Sequence, residues 1–314
     1  MTPLSLTGRT SIWERSQQGG AGAKGRRVLQ VNSHDYEVGV APEIGGGLTH
    51  LRFRGVDVLR PAPGDADDPL QLACFPLVPY ANRIANGQFV WQGRTVTLSP
   101  NTKGEPHPLH GDGWRSTWTV AETSPDHIVL ELHHAAGDWP WAYVVRQTIH
   151  ADAGGVGLEL EIVNLADAAM PVGLGFHPYF PGRSGARLKA SVGTVWLTDA
   201  EMLPTRQAPP AQVRDWDRWA PVEATGLIDN CYTQWWGPAE VRLPDRGLEA
   251  RLTASRNLGC LHVYSPPGED YFCVEPVSHR PDALNAADPS LEGVAALPPG
   301  RRLQASMRIE ASPL

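Results

Sequence analysis

The sequence predicts an all-β protein, a large antiparallel β-sandwich with little helix. Three observations carry this. Short apolar runs alternate with polar residues in a period of two. Glycine and proline, 32 and 29 residues, are frequent enough to supply turns between many short strands. Few windows hold the i, i+3, i+4, i+7 stripe of a helix for three turns.

Taken in order, residues 1–26 read as a flexible lead-in. The stretch from Gln17 to Gly25 has no periodic apolar pattern and too little to bury, and it lacks the apolar centre of a signal peptide. A single domain is expected over 27–314. Tyr36, Val38 and Val40 alternate in period two, and 48–53, 88–91 and 95–98 do likewise between glycine turns. Two long strands, 142–150 and 156–163, flank the turn Asp152-Ala153-Gly154-Gly155. Residues 171–180, apolar with alternating glycines, read as a buried strand with little bulk on one face. Residues 198–226, rich in proline and charge, read as a long loop with a short helical turn. Strands over 261–265, 271–275 and 303–310 complete the expected set.

Composition narrows the partners. A net charge of -7 weighs against nucleic acid and anionic membrane, both of which demand a basic face. No apolar run approaches the ~20 residues that span a bilayer. The cysteines, Cys74, Cys231, Cys260 and Cys273, form no CxxC pair and are expected as free thiols in a reducing cytoplasm. Paired strands would leave a Cys260–Cys273 bridge open.

Five segments carry side chains capable of chemistry. Pro178 holds His177 in an extended conformation, beside Tyr179 and Phe180; an imidazole fixed there is an acid or base, or a histidine satisfied in the core. Asn82-Arg83 places a guanidinium in an apolar stretch, where it is paired if buried or else sits in an exposed loop. Leu109-His110-Gly111 reads as a turn histidine with a ligand approaching its backbone, or as a surface loop. Two histidines three apart, His107 and His110, lack further ligands at a metal spacing. His133 and His134 do not complete one, since adjacent strand residues face opposite ways. Asp229 is a pocket carboxylate or half of an Asp-Asn turn. Glu275 ends an apolar strand before proline, where desolvation makes it a better base near neutrality; a solvated strand end is the alternative.

Taken together and in this order, Asn82-Arg83, Leu109-His110-Gly111, His177-Pro178-Tyr179-Phe180, Asp229, and Glu275 with Pro281-Asp282-Ala283 resemble the aldose 1-epimerase (galactose mutarotase) family. The likeness runs roughly from Val28 to Glu310, and Asp229 is its loosest match. It implies a galactose mutarotase-like supersandwich and a cofactor-free, metal-free isomerase acting on a small sugar. Glu275 would be the base, His177 the acid, and His110 a partner near the ring oxygen. Arg83, Asn82 and Asp229 would grip the other hydroxyls. Trp235 and Trp236 are candidates for the pocket rim or for packing.

The chain departs from the pattern in a short segment between Cys231 and Glu275, and in His279 and Arg280, expected to add positive charge near the base. A hexose phosphate held by Arg83, Arg115 and Arg280 is therefore the second reading. A non-catalytic sugar-binding protein on the same fold is the third. A glycoside hydrolase using Asp229 and Glu275 is a fourth.

Overall fold

The computed structural model describes Arg15–Ser16 and residues 27–314. The protein is all-β: among these residues the only helices are three-residue 3-10 turns, and none is long and apolar enough to cross a membrane. The expected lead-in lies outside the described residues except Arg15–Ser16, which pairs antiparallel with Arg27 and Val28.

Alternation builds the two large sheets. In the Tyr143–Asp152 strand, Tyr143, Val145, Gln147, Ile149 and Ala151 are buried while their neighbours are less so. The paired Gly155–Asn164 strand buries Val156, Leu158, Leu160 and Ile162. Successive side chains point to opposite faces, so these strands turn one apolar face inward. They sit in a nine-stranded sheet with Arg302–Pro313, Leu248–Ala254 and His127–His134. The turn expected at Asp152 joins the first two, within a residue or two of the expected ends.

The second large sheet has eight strands, with Ile228–Thr233, Cys260–Ser265 and Tyr271–Val277 adjacent at its centre. Every residue of Phe272 to Val277 is buried, which marks a sheet covered on both faces. One face sends Tyr232, Leu261, Val263, Phe272 and Val274 into the same core as Val145, Ile149, Leu158 and Ile162. This shared core makes the sandwich. The other face packs against a separate, smaller cluster of Phe75, Trp114, Tyr179, Cys231, Cys260 and Cys273.

Several sequence expectations change. Residues 171–180 form not one strand but three short ones, Met170–Val172, Gly175–Phe176 and Tyr179–Pro181. Residues 198–226 hold strands Pro204–Ala208 and Ala220–Pro221 and the 3-10 turn Pro210–Gln212; the strands lie at sheet edges, where proline is tolerated. Cys260 stands opposite Val277 and Cys273 opposite Tyr264. Four residues along a strand is about 13 Å, beyond disulfide reach, and all four cysteines are free and buried.

Two glycines are required by close approach. A Cβ at Gly173 would enter the His279 ring. A Cβ at Gly111, whose φ is +71°, would strike the Val78 carbonyl oxygen and Pro79. Gly111 thus serves backbone packing beside His110 rather than a ligand's approach. Gly111→Ala is expected to cost about 1–2 kcal/mol or more from the left-handed backbone alone. Urea unfolding checks it; an unchanged midpoint would show that the turn relaxes freely.

Candidate active site

The site grows out of strand register. Directly opposite residues on paired strands share a face. On the smaller-cluster face, Cys231, His262 and Glu275 therefore form one cross-strand row, and Asp229, Tyr264, Cys273 and Tyr179 the next. His177 comes from the gap between two short strands. Its backbone N–H donates to the Phe75 carbonyl, and that of Tyr179 to Ala73, so the chain stays extended through Pro178 as expected.

The His177 imidazole is enclosed by aromatic rings. Tyr179 stacks on it at 4.6 Å between centroids, and Phe75 lies at 4.6 Å on a tilted plane. Its Nε2 stands 3.4 Å from Oε1 of Glu275, and both side chains are buried. Burial works against both charges. It pushes the Glu275 carboxyl up to about 8, partly offset by the His262 charge. The His177 imidazole is driven well below its ordinary value, chiefly by burial, and the nearby His262 charge adds to this. The resting pair is neutral, with its proton on Glu275.

His110 lies 5.3 Å from His177 between ring centroids. Its Nδ1 accepts the Asn82 backbone N–H at 3.0 Å, which leaves Nε2 as its donor. Burial and the Arg83 charge hold this imidazole down at about 3, so it remains neutral. Asn82 takes a left-handed conformation, and its Oδ1 accepts the Arg83 backbone N–H at 2.8 Å.

Arg83 is the paired guanidinium of the two readings, partly buried. Its Nε donates to Glu105 at 3.1 Å and its Nη1 to Asp229 at 3.3 Å. Asp282 explains the Pro-Asp-Ala motif: its backbone N–H donates to the Arg83 carbonyl, and its side chain accepts from Ala85 N–H. Asp229 lies in the Ile228–Thr233 strand, not in a turn. Burial opposes its charge, but the His262 hydrogen bond and charge, with Arg83, outweigh this and hold the carboxyl below the ordinary range.

All six residues singled out from the sequence meet in one contiguous network. What sequence reasoning missed is His262, whose Nε2 lies 2.7 Å from Asp229 Oδ1. Burial lowers its affinity for a proton, but the Asp229 hydrogen bond and the Glu275 and Asp229 charges raise it on balance. Its only sequence signal is a histidine inside the apolar run Leu261-His262-Val263. Phe75 and Glu105 were missed as well.

Other expectations are corrected. His279 brings no positive charge: burial pushes its imidazole down to about 4, and it bonds Ala81 and the Arg280 carbonyl. The Arg280 guanidinium is engaged by Glu292 at 3.0 Å and by the Pro281 carbonyl. Trp235 is 2% exposed in the large core, whereas Trp236 is 70% exposed and covers Gly259. The aromatic edge of the site cluster is instead Tyr264 and Tyr271. Donor atoms of His177, Cys273 and Glu275 lie within 4.8 Å of one another, a trio one short of the four protein ligands that close a structural zinc site. Among the described residues, the open grooves on the outside of the nine-stranded sheet, lined by residues such as Arg146, Glu159 and Gln304, bring no such trio of donor atoms together.

Comparison with known proteins agrees with the motifs. The family model described as aldose 1-epimerase matches residues 27–310. An Escherichia coli K12 protein named YphB, described as uncharacterized, is 33% identical over 250 residues, covering 76% of this chain and 84% of its own. The aldose 1-epimerase of Haemophilus influenzae is 32% identical over 104 residues, 32% of this chain and 30% of that one. A galactose mutarotase-like protein from Clostridium acetobutylicum superposes with a TM-score of 0.84 at 19% identity, over 98% of this chain and 99% of that one, which speaks for the fold. On the extent of the family match, the chain belongs to the aldose 1-epimerase family.

Proposed function

We propose that the protein interconverts the α- and β-anomers of a free aldose by general acid–base ring opening and closure. The observation that carries this is the buried His177–Glu275 pair at 3.4 Å, two titratable groups that share one proton. Ring opening needs a base for the C1 hydroxyl proton and an acid for the ring oxygen. Glu275 as carboxylate takes the O1 proton. The C1–O5 bond breaks with its electron pair on O5, and His177 as imidazolium protonates O5. The aldehyde turns about C1–C2, and closure on the other face runs the transfers backwards.

Opening converts the ion-pair form of His177 and Glu275 into the neutral form. Burial favours that neutral form, so the pocket stabilises the state in which the open chain stands. His110, a neutral Nε2 donor, supports the oxygen charge, and Arg83, Asn82 and Asp229 orient the sugar. No cofactor takes part in this scheme, and four free thiols fit a reducing cytoplasm.

Free sugar is preferred over hexose phosphate because each arginine considered for phosphate already faces a carboxylate. Arg83 has Glu105 and Asp229, Arg280 has Glu292, and Arg115 lies 3.7 Å from Asp68. The tie of Asp229 to His262 and Arg83 also weighs against its use as a glycosidase carboxylate.

The test is polarimetry on freshly dissolved α-galactose and α-glucose. Acceleration is expected, lost in His177→Asn. The rate should hold up to about pH 8 and fall above it, as Glu275 gives up the pair's single proton. The acid limb should lie well below 6.5, where His177 takes a second proton. No acceleration of either sugar or of a pentose by folded protein would overturn the reading.

A further inference from the structure

His262 has no task in the reaction just described, yet it is buried beside the groups that do. It sits opposite Glu275 on the neighbouring strand, so their side chains share a face. Its Nε2 is held at 2.7 Å by Asp229, and Arg83 occupies the other Asp229 oxygen. Its Nδ1 is buried without a hydrogen-bond partner. A hydrogen bond to Asp229 alone would orient a neutral ring, but a second feature points to a charged one. Besides the Asp229 carboxylate at 2.7 Å, Glu275 lies opposite and is a carboxylate in the form that starts the reaction.

We infer that His262, anchored by Asp229, is a positioning residue that sets a fixed positive charge opposite Glu275 and thereby the pH window of the acid–base pair. The inference rests on the mutarotase reading for its kinetic consequence. Other groups also face Glu275: His177 from the 175–181 segment, Cys273 on its own strand, and Cys231 on the strand beyond His262. Asp229 and Arg83 act on it at longer range, as do Cys74 and Tyr179. Of these, His262 and Arg83 bring positive charge, and Arg83 is already shared by two carboxylates.

A positive charge here favours the Glu275 carboxylate and disfavours the His177 imidazolium. Removing it should make both groups hold protons more tightly. A neighbouring opposite charge typically moves a carboxylate by about 1–3 units. His262→Gln keeps an amide donor toward Asp229 and loses the charge. Both limbs of its pH–rate profile are expected to move to higher pH, the alkaline one by about one unit or more. A uniform fall in rate with unmoved limbs would overturn the inference and leave His262 a packing residue.

Should that variant fail to fold, the wild type decides. Its His262 ring nitrogens, followed by 15N NMR, are expected to be doubly protonated at pH 7, and a neutral ring overturns the proposal. If the wild type accelerates no sugar, the mutarotase reading fails by itself. The Glu275 carboxyl band, followed by isotope-edited infrared titration in wild type and His262→Gln, then tests the charge effect without any turnover.

Discussion

Glu275→Gln is expected to remove mutarotation and to make the protein more stable at neutral pH. The amide cannot carry the O1 proton, and loss of a positioned acid–base group typically costs about 10²–10⁴-fold in rate. The stability gain follows from the same burial. Glu275 holds its proton up to about pH 8 in the folded chain, against an ordinary value near 4.3 when unfolded. Between those values the folded state binds the extra proton, so stability falls as pH rises. At pH 7 the cost is on the order of 3 kcal/mol. Glutamine fills the same place without titrating, so the variant's advantage should be near zero at pH 4.5 and grow toward pH 8. Thermal melts of both proteins across that range check it. Equal pH slopes would mean that Glu275 is charged when folded and that its pairing with His177 is ionic at rest.

Asp229→Ala should have the largest effect in the opposite direction. It removes the shared anion of partly buried Arg83 and fully buried His262. Breaking a buried ion pair from one side costs about 3–5 kcal/mol, because a charge is left uncompensated. Arg83 keeps Glu105 and His262 can release its proton, which places the expectation at the lower end. Asp229→Asn, which keeps shape and a hydrogen bond, should lose less. The wild-type advantage should shrink as pH falls into the ordinary carboxylate range and vanish only below it, where folded Asp229 at last takes its proton. Urea unfolding near pH 7 and near pH 3 measures both. An unchanged midpoint in Asp229→Ala at pH 7 would show that water already compensates the two cations.

The strands of the sandwich and the segments that carry His177 and Glu275 were legible for one physical reason: they depend on local pattern. Period-two alternation marks strands, and proline marks His177 as held extended, although Glu275, expected to end its strand, stands inside Tyr271–Val277. His262 was not legible because what matters about it is register. It lies 13 residues before Glu275, and only the turn length between two strands puts them opposite each other. The same blindness left Cys260 and Cys273 open as a pair. Of the two readings for Trp235 and Trp236, packing held for Trp235, while Trp236 is exposed. Adjacent residues past a strand end divide between core and solvent, and composition cannot say which goes where. Residues 198–226 carried proline and charge, which edge strands share with loops.

The central strands of the eight-stranded sheet have two jobs written on alternate residues. In 228–233 and 271–277 odd positions such as Cys273 and Glu275 line the site and even ones such as Phe272 and Val274 fill the core, while in 260–265 the parity is reversed. Slippage by one residue would exchange the two sets, setting a carboxylate among leucines and valines and turning phenylalanine toward the site. Misaligned chains are thereby denied a stable resting place. Single-residue insertions or deletions inside 228–233, 260–265 or 271–277 are therefore forbidden changes, and the 266–270 turn is tied to the length that sets this register.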